Sequence, residues 1–339
     1  MKFVCKILLA AAVCLGVSAE AGIKNAKYGG AFLEVGVDAR ILAMGSSGAA
    51  AANSVSALYW NPAGLLSVGR YAFHGMHAER FAGMVNWDFI GAAHAVDEKT
   101  AVGIGLFRMG IDGIPFTRLI NEQAGLGEYY YDETGRRVQN VPEVVKLAND
   151  VEYALFLSVA RSISPAIQLG TSMKILRKTC DSYGAWGLGF DAGILYRHSS
   201  HVHVGASVRD LTTTILAWNT NTMEKILPSI RLGASFPFSI EKISCFPALQ
   251  INATFDNYGQ NDISARYGAI DFTAGCEIAY AEKLFFRGGI FRKRLTFGAG
   301  FRLGMIAVDY GFGSHNDLGN THRVSIEYGM KPIRRDCER

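Results

Sequence analysis

Ile306-Ala307-Val308-Asp309-Tyr310-Gly311-Phe312-Gly313 decides how this chain is read. Apolar Ile306, Val308, Tyr310 and Phe312 alternate with Ala307, Asp309, Gly311 and Gly313, so a strand sets the two groups on opposite faces. The pattern recurs. Ile230, Leu232, Ala234 and Phe236 oppose Ser229, Arg231, Gly233 and Ser235, and Ile270, Phe272, Ala274 and Ile278 oppose Asp271, Thr273, Gly275 and Glu277. Fourteen such segments follow Arg70, near 71–80, 85–96, 100–113, 151–162, 166–178, 185–197, 202–211, 228–238, 247–257, 268–280, 283–293, 295–303, 305–314 and 321–330. Period-two segments of about ten residues are the signature of an outer-membrane barrel.

A soluble sandwich also alternates, and three features favour the barrel over it. Met1 to about Ala21 reads as an export signal: Lys2 and Lys6, an apolar run over 7–17, then Val17-Ser18-Ala19 or Ala19-Glu20-Ala21 as cleavage site. That run is too short to span a bilayer as a helix. An even strand count suits closure without free edges. Trp87, Tyr153, Trp186, Tyr196, Tyr280 and Tyr328 fall toward strand ends on the apolar face, as interfacial girdles do. If the first strand runs outward, the short turns are periplasmic and the long connections (114–150, 212–226 and 258–266) are external. The chain has 339 residues, 49% hydrophobic and 19% charged, with 38 Gly, 8 Pro and a formal charge of +4. That charge is too mild to imply a nucleic-acid partner.

Before the strands lies Ala57-Leu58-Tyr59-Trp60-Asn61-Pro62-Ala63-Gly64-Leu65, inside a stretch, residues 41–69, without a charged side chain. Ser46, Ser47, Asn53, Ser54 and Ser56 dilute it and Pro62 and Gly64 break it, so it is a poor membrane helix. A plug enclosed by the barrel fits better. Together with Gly36-Val37-Asp38-Ala39-Arg40-Ile41-Leu42-Ala43-Met44-Gly45, it resembles the start of the FadL/PorV outer-membrane family over about residues 30–65. The resemblance implies an all-β chain: a fourteen-stranded antiparallel outer-membrane β-barrel with an N-terminal hatch. The expected divisions are a signal peptide at 1–21, hatch at 22–69, barrel at 70–330 and periplasmic tail at 331–339. The hatch motif is Asn61, Pro62, Ala63 and Gly64. Acidic residues commonly precede that motif in the family, whereas Asn53-Ser54-Val55-Ser56 is neutral.

Other motifs have plainer readings. Gly103-x-Gly105, Gly187-x-Gly189 and Gly298-x-Gly300 lie within strands and read as smooth lumen-facing patches, not nucleotide loops. Lys174, Asp191, Arg209, Arg231, Glu277, Arg287, Asp309, Arg323 and Asp88 fall on the polar faces, and mixed signs there point to a structural network. His198, His201 and His203 lack a nearby carboxylate and read as turn and lumen residues, so no metal and no cofactor are expected. Among Cys180, Cys245, Cys276 and Cys337, only Cys245 and Cys337 fall together on the periplasmic side, as a candidate disulfide. Residues 114–150 carry Tyr129-Tyr130-Tyr131, Arg136-Arg137 and a candidate short helix over 141–148.

No catalytic constellation is found, and an enzyme is not expected. The family resemblance implies passive passage of hydrophobic small molecules, such as long-chain fatty acids, through the outer-membrane bilayer. Release would be lateral, at a kinked third strand where Gly110 and Gly113 are the candidates. Its other branch implies a secretion accessory that holds an exported protein partner. A surface adhesin acting through residues 114–150 is the remaining reading.

Overall fold

The computed structural model describes residues 24–25, 29–81, 83–199, 202–255, 261–265, 268–314 and 320–329. Fourteen long strands follow the plug. They are β1 (Tyr71–Arg80), β2 (Val85–Ala95), β3 (Thr100–Leu119), β4 (Pro142–Ser162), β5 (Ile167–Cys180), β6 (Tyr183–Ser199) and β7 (Val202–Arg209). The second half comprises β8 (Ser229–Ser235), β9 (Ile243–Thr254), β10 (Gly268–Tyr280), β11 (Leu284–Phe291), β12 (Arg294–Leu303), β13 (Ile306–Gly313) and β14 (Thr321–Gly329). Each pairs antiparallel with the next, and β1 pairs with β14 from Ala72↔Gly329 to Glu79↔His322, so the sheet closes on itself. Every barrel edge is thereby satisfied, as a hydrocarbon surrounding requires.

The alternating faces are those of a lipid-facing wall. Leu232, Phe272, Phe286, Phe297 and Ile326 are each about half exposed, while their neighbours Arg231, Asp271, Arg287, Thr296 and Ser325 are buried in the lumen. One assignment is corrected. Trp87 is buried inside, beneath the Arg80 guanidinium, and Asp88 faces outward. The cause is the plug. Its apolar core packs against the inner faces of β1–β5, where Phe89, Phe107, Phe156 and Leu176 are fully buried. The inner face of β2, with Val85, Trp87 and Phe89, is therefore apolar, and its outer face carries Asn86, Asp88 and His94, so here the polar face is not the lumen face.

Asp88 belongs to an outward row of cross-strand neighbours, His77↔Asp88↔Arg108↔Tyr153↔Arg177↔Trp186. Asp88 accepts from His77 Nδ1 at 2.7 Å, and Arg177 stacks 5.0 Å over Trp186. The adjacent row is Ile90, Leu106, Leu155, Ile175 and Leu188. Charged groups cannot stay in hydrocarbon without cost, so this change of character marks the external membrane boundary on β1–β6.

Beyond it the barrel projects. About ten residues suffice for a spanning strand, whereas β3 has 20 and β4 has 21. β2 pairs with β3 only as far as Asn86↔Gly110, and β5 pairs with β4 only as far as Cys180↔Asp150. The remainder is a two-stranded ribbon continuing to Leu119↔Pro142, capped by the hairpin Tyr129–Tyr131 with Arg137–Gln139. The stretch expected to be a short helix over 141–148 is thus strand; Val141, Val144 and Val145 favour extended backbone, and Pro142 opens the strand. A second external hairpin, Thr214–Trp218 with Met223–Ile226, pairs with the outer end of β6 from Ile215↔Leu188 to Trp218↔Ala185.

Candidate functional site

The lumen is occupied by residues 29–69, a chain of short turns that sequence chemistry sets one by one. Asp38 caps the helix Ala39–Ala43, its Oδ1 accepting from Arg40 N at 2.8 Å and its Oδ2 from Ser56 Oγ at 2.8 Å. Asn61, in extended conformation, caps the 3-10 turn Pro62–Ser67 and accepts from Ala63 N at 3.2 Å, with Pro62 at the position where a missing N–H costs nothing. Gly64 lies against the Ala52 carbonyl, leaving no room for a Cβ.

Close approach fixes the plug to the wall. A Cβ at Gly170 would fall within 3 Å of Pro62 and Ala63, at Gly193 of Asn61, at Gly205 of Ala49, at Gly275 of Met44, and at Gly289 of Gly45. Gly103 and Gly105 likewise receive Leu58, and Gly298 receives Ala43. Gly300 instead makes room for Asp309 and Arg287, and Gly187 and Gly189 for Leu216 and Thr214 of the external hairpin.

Polar side chains from five strands of the wall, β5, β7, β9, β12 and β14, then bind plug backbone. Gln250 accepts from Ala49 N at 2.7 Å, Thr296 Oγ1 accepts from Gly45 N at 3.1 Å, and Ser325 Oγ accepts from Ala39 N at 2.8 Å. Ser172 and Ser207 donate to the carbonyls of Leu58 and Trp60, and Arg323 donates to Val35 O at 2.9 Å. Asn61 Nδ2 ties Ala49 O, at 2.7 Å, to the β6 carbonyl of Ile194, at 3.1 Å. Asn61→Ala is expected to cost about 2 kcal/mol locally, since it removes a cap and leaves buried carbonyls unpaired. Amide exchange across Pro62–Ser67 should quicken more than tenfold; unchanged protection would contradict the role.

Two charged clusters anchor the ends. Toward the periplasm, Arg40 grips Glu277 with Nε at 2.7 Å and Nη2 at 3.0 Å, and Arg287 joins Glu277 at 2.5 Å to Asp309 at 2.7 Å. Burial alone would lower the Arg40 pKa, but the Glu277 carboxylate outweighs it and the guanidinium is held above its ordinary value. Toward the exterior, Tyr59 donates its hydroxyl to Leu33 O and accepts from Arg209 Nη1 at 3.1 Å and Arg231 Nη2 at 3.2 Å. Burial raises the Tyr59 pKa, yet the two guanidiniums outweigh that and the net shift is downward. Over this end of the plug lies a cleft of about 80 Å³, lined by Leu33, Glu34, Trp60, Arg209, Arg231 and Arg292 among others.

The remaining candidates are placed as follows. Gly110 sits in an unbroken wall, paired with Asn86 of β2 and Val151 of β4. Gly113, at φ +70°, lies in the bulge between Ile111 and Ile114, above the last β2 pair. Gly113→Ala is expected to cost the ribbon about 1 kcal/mol through the left-handed backbone, seen as faster exchange over residues 111–119 with β2–β3 protection intact. Cys337 lies outside the described residues; the described neighbour of Cys245 is Cys276, Sγ to Sγ at 3.3 Å on adjacent strands. The side chains of His198 and His201 lie outside the described residues as well, and His203 packs near Phe246. Among the described residues no group of three His, Cys, Asp or Glu could hold a metal.

Sequence reasoning passed over Asp38, Arg40 and Tyr59. A signal existed for two of them: between Gly36 and Gly69 they are the only charged residues, and a charge inside a plug needs a partner. Tyr59 offered none.

Residues 186–328 match the model of a family described as the type IX secretion system membrane protein PorP/SprF. No curated protein matches the chain in sequence. The toluene transporter TbuX of Ralstonia pickettii superposes with a TM-score of 0.56 at 13% identity, covering 87% of this chain and 98% of its own. For the toluene transporter TodX of Pseudomonas putida the values are 0.54, 13%, 87% and 99%. A FadL homologue of Pseudomonas aeruginosa gives 0.52, 10%, 86% and 98%. These likenesses establish the fold: a FadL-like, fourteen-stranded outer-membrane barrel.

Proposed function

We propose that this chain is a plugged, non-conducting outer-membrane barrel that serves protein export, engaging an exported protein at the cell surface. The observation that carries the reading is the packing of the plug: wall side chains bind its backbone around the barrel. The cleft left above it, about 80 Å³, is well below the roughly 300 Å³ at which small-molecule sites begin. The match of residues 186–328 to a secretion-system family supports the same reading, and the β3–β4 ribbon offers a surface beyond the membrane. In this reading residues 1–21 direct export and are then removed, and no catalytic step or cofactor takes part.

Two measurements test it. The reconstituted protein should leave bilayer conductance at baseline, and cells lacking it should lose an exported protein from their surface while long-chain fatty-acid uptake is unchanged. Lost fatty-acid uptake with intact surface proteins would reverse the assignment. A second reading, passive passage of hydrophobic small molecules such as long-chain fatty acids, draws support from the fold shared with the toluene transporters. It requires the plug to move aside and the wall to open near Gly110 and Gly113.

A further inference from the structure

The external hairpin strand Thr214–Trp218 raises a second wall beside the outer ends of β5 and β6. Between them lies a cleft of about 350 Å³, lined by Arg177, Tyr183, Trp186, Ala217, Trp218 and Asn219 among others. Tyr183 and Trp186 are more than half exposed, and Arg177 and Trp186 belong to the outward row at the external membrane boundary. The cleft therefore opens on the outside of the barrel, at the height of the outer-leaflet headgroups. It shares no lining residue with the cleft over the plug.

Its frame is fixed in advance. Asn219 Oδ1 accepts from Gly184 N at 3.2 Å and its Nδ2 donates to Ser182 O at 3.0 Å, which ties the hairpin to the β5–β6 turn. Gly184 leaves room for Arg177, since a Cβ there would fall within 3 Å of Nη1. The Arg177 guanidinium lies 5.0 Å over Trp186 and donates to Ala185 O at 3.3 Å. Asp181, the carboxylate in the lining, is taken by Lys146, and Arg177 forms no ion pair with a described carboxylate. The indole N–H of Trp218 is buried without a hydrogen-bond partner. A cation and a buried donor, both unanswered, call for an acceptor that carries negative charge.

An interfacial aromatic belt needs neither feature. Belt side chains lie along a wall, with no recess and no buried donor left over. Flat aromatic rings stack on the C–H faces of sugar rings, and a guanidinium fork matches phosphate oxygens. We propose that this cleft binds the phosphorylated sugar headgroup of an outer-leaflet glycolipid. Arg177 and the Trp218 N–H donate to the phosphate, and Tyr183 packs against the sugar. The bound lipid then braces the hairpin against the ends of β5 and β6. This site stands apart from the export reading, because neither conductance nor surface protein load enters its test.

The test is native mass spectrometry of the full mature chain, refolded in a nonionic detergent and titrated with lipid A. Phosphorylated lipid A should bind about tenfold more tightly than its dephosphorylated form, as a charge-assisted contact predicts. Phosphatidylglycerol, which offers the phosphate without the sugar, should be held more weakly than phosphorylated lipid A. Arg177→Gln should erase the preference for phosphate, Arg177→Lys should keep part of it, and Trp218→Phe should weaken it. Arg118→Gln, on the ribbon beyond the boundary, should match the parent, and bound lipid should slow amide exchange over Thr214–Trp218. Equal retention of phosphorylated and dephosphorylated lipid A, or phosphatidylglycerol held as tightly as lipid A, would overturn the site. So would a preference that survives in Arg177→Gln, an equal loss in Arg118→Gln, or binding that leaves exchange over Thr214–Trp218 unchanged.

Discussion

Replacing Glu277 with leucine is expected to free the periplasmic half of the plug while the barrel stays folded. In the parent protein this carboxylate holds Arg40 of the plug at 2.7 and 3.0 Å and Arg287 of β11 at 2.5 Å. The side chains of Arg40 and Glu277 are 13% and 10% exposed, so solvent screens the pair weakly. Removing one partner leaves two guanidiniums to share Asp309, and breaking a buried pair in this way costs about 3–5 kcal/mol. Arg40 also donates to Ala51 O at 3.1 Å, so the loss should spread from the helix Ala39–Ala43 to the next turn. Local opening measured by amide exchange should rise about 100-fold or more across Ala39–Ala43. Glu277→Leu combined with Arg40→Met should recover most of the protection, because an apolar pair carries no stranded charge. Unchanged exchange in Glu277→Leu would mean that packing and the wall's hydrogen bonds to plug backbone seat this half without the ion pair.

The barrel was legible because lipid imposes one rule on every strand: apolar out, and something else in. Ile306 to Gly313 obeys it, and so do β8 and β10, whose inner faces meet mainly glycine and polar partners. The rule fails where the inner face is apolar too. Phe89 and Trp87 pack on the plug's own core, so on β2 the more apolar face points inward and the rule places Asp88 on the wrong side. The β3–β4 ribbon escaped for a related reason. Above the membrane boundary neither face of Ile114, Phe116, Val144 or Leu147 is selected by lipid, and turn-forming Gly113 and Pro115 read as the start of a loop. The site was legible only in part. Lumen arginines and acids could be placed on a face from one strand, but their partners lie far along the chain: Arg40 and Glu277 are 237 residues apart, and Tyr59 and Arg231 are 172 apart. Such pairing follows from barrel closure, which no local pattern encodes.

Closure also makes the second large effect predictable. Gly275 and Gly289 face inward on β10 and β11, where the backbone of Met44 and Gly45 passes within 3 Å of the place a Cβ would take. Gly45 cannot yield easily, since its N–H is held by Thr296 Oγ1 at 3.1 Å and its φ of +64° admits few alternatives. The double variant Gly275→Val/Gly289→Val should therefore displace the plug, at an overpacking cost of about 3 kcal/mol per site. The wall itself should tolerate the change, because valine suits extended backbone. Gly288→Val is the matched control: it faces outward on the same strand with nothing within 4 Å. The double variant should show ion conductance and rapid exchange over Ala39–Ala43, while the control stays closed and protected like the parent. If the double variant also stays closed and protected, close packing at Met44 and Gly45 does not hold the plug in place. The clusters at Glu277 and Tyr59 and the wall's hydrogen bonds to plug backbone would then carry it.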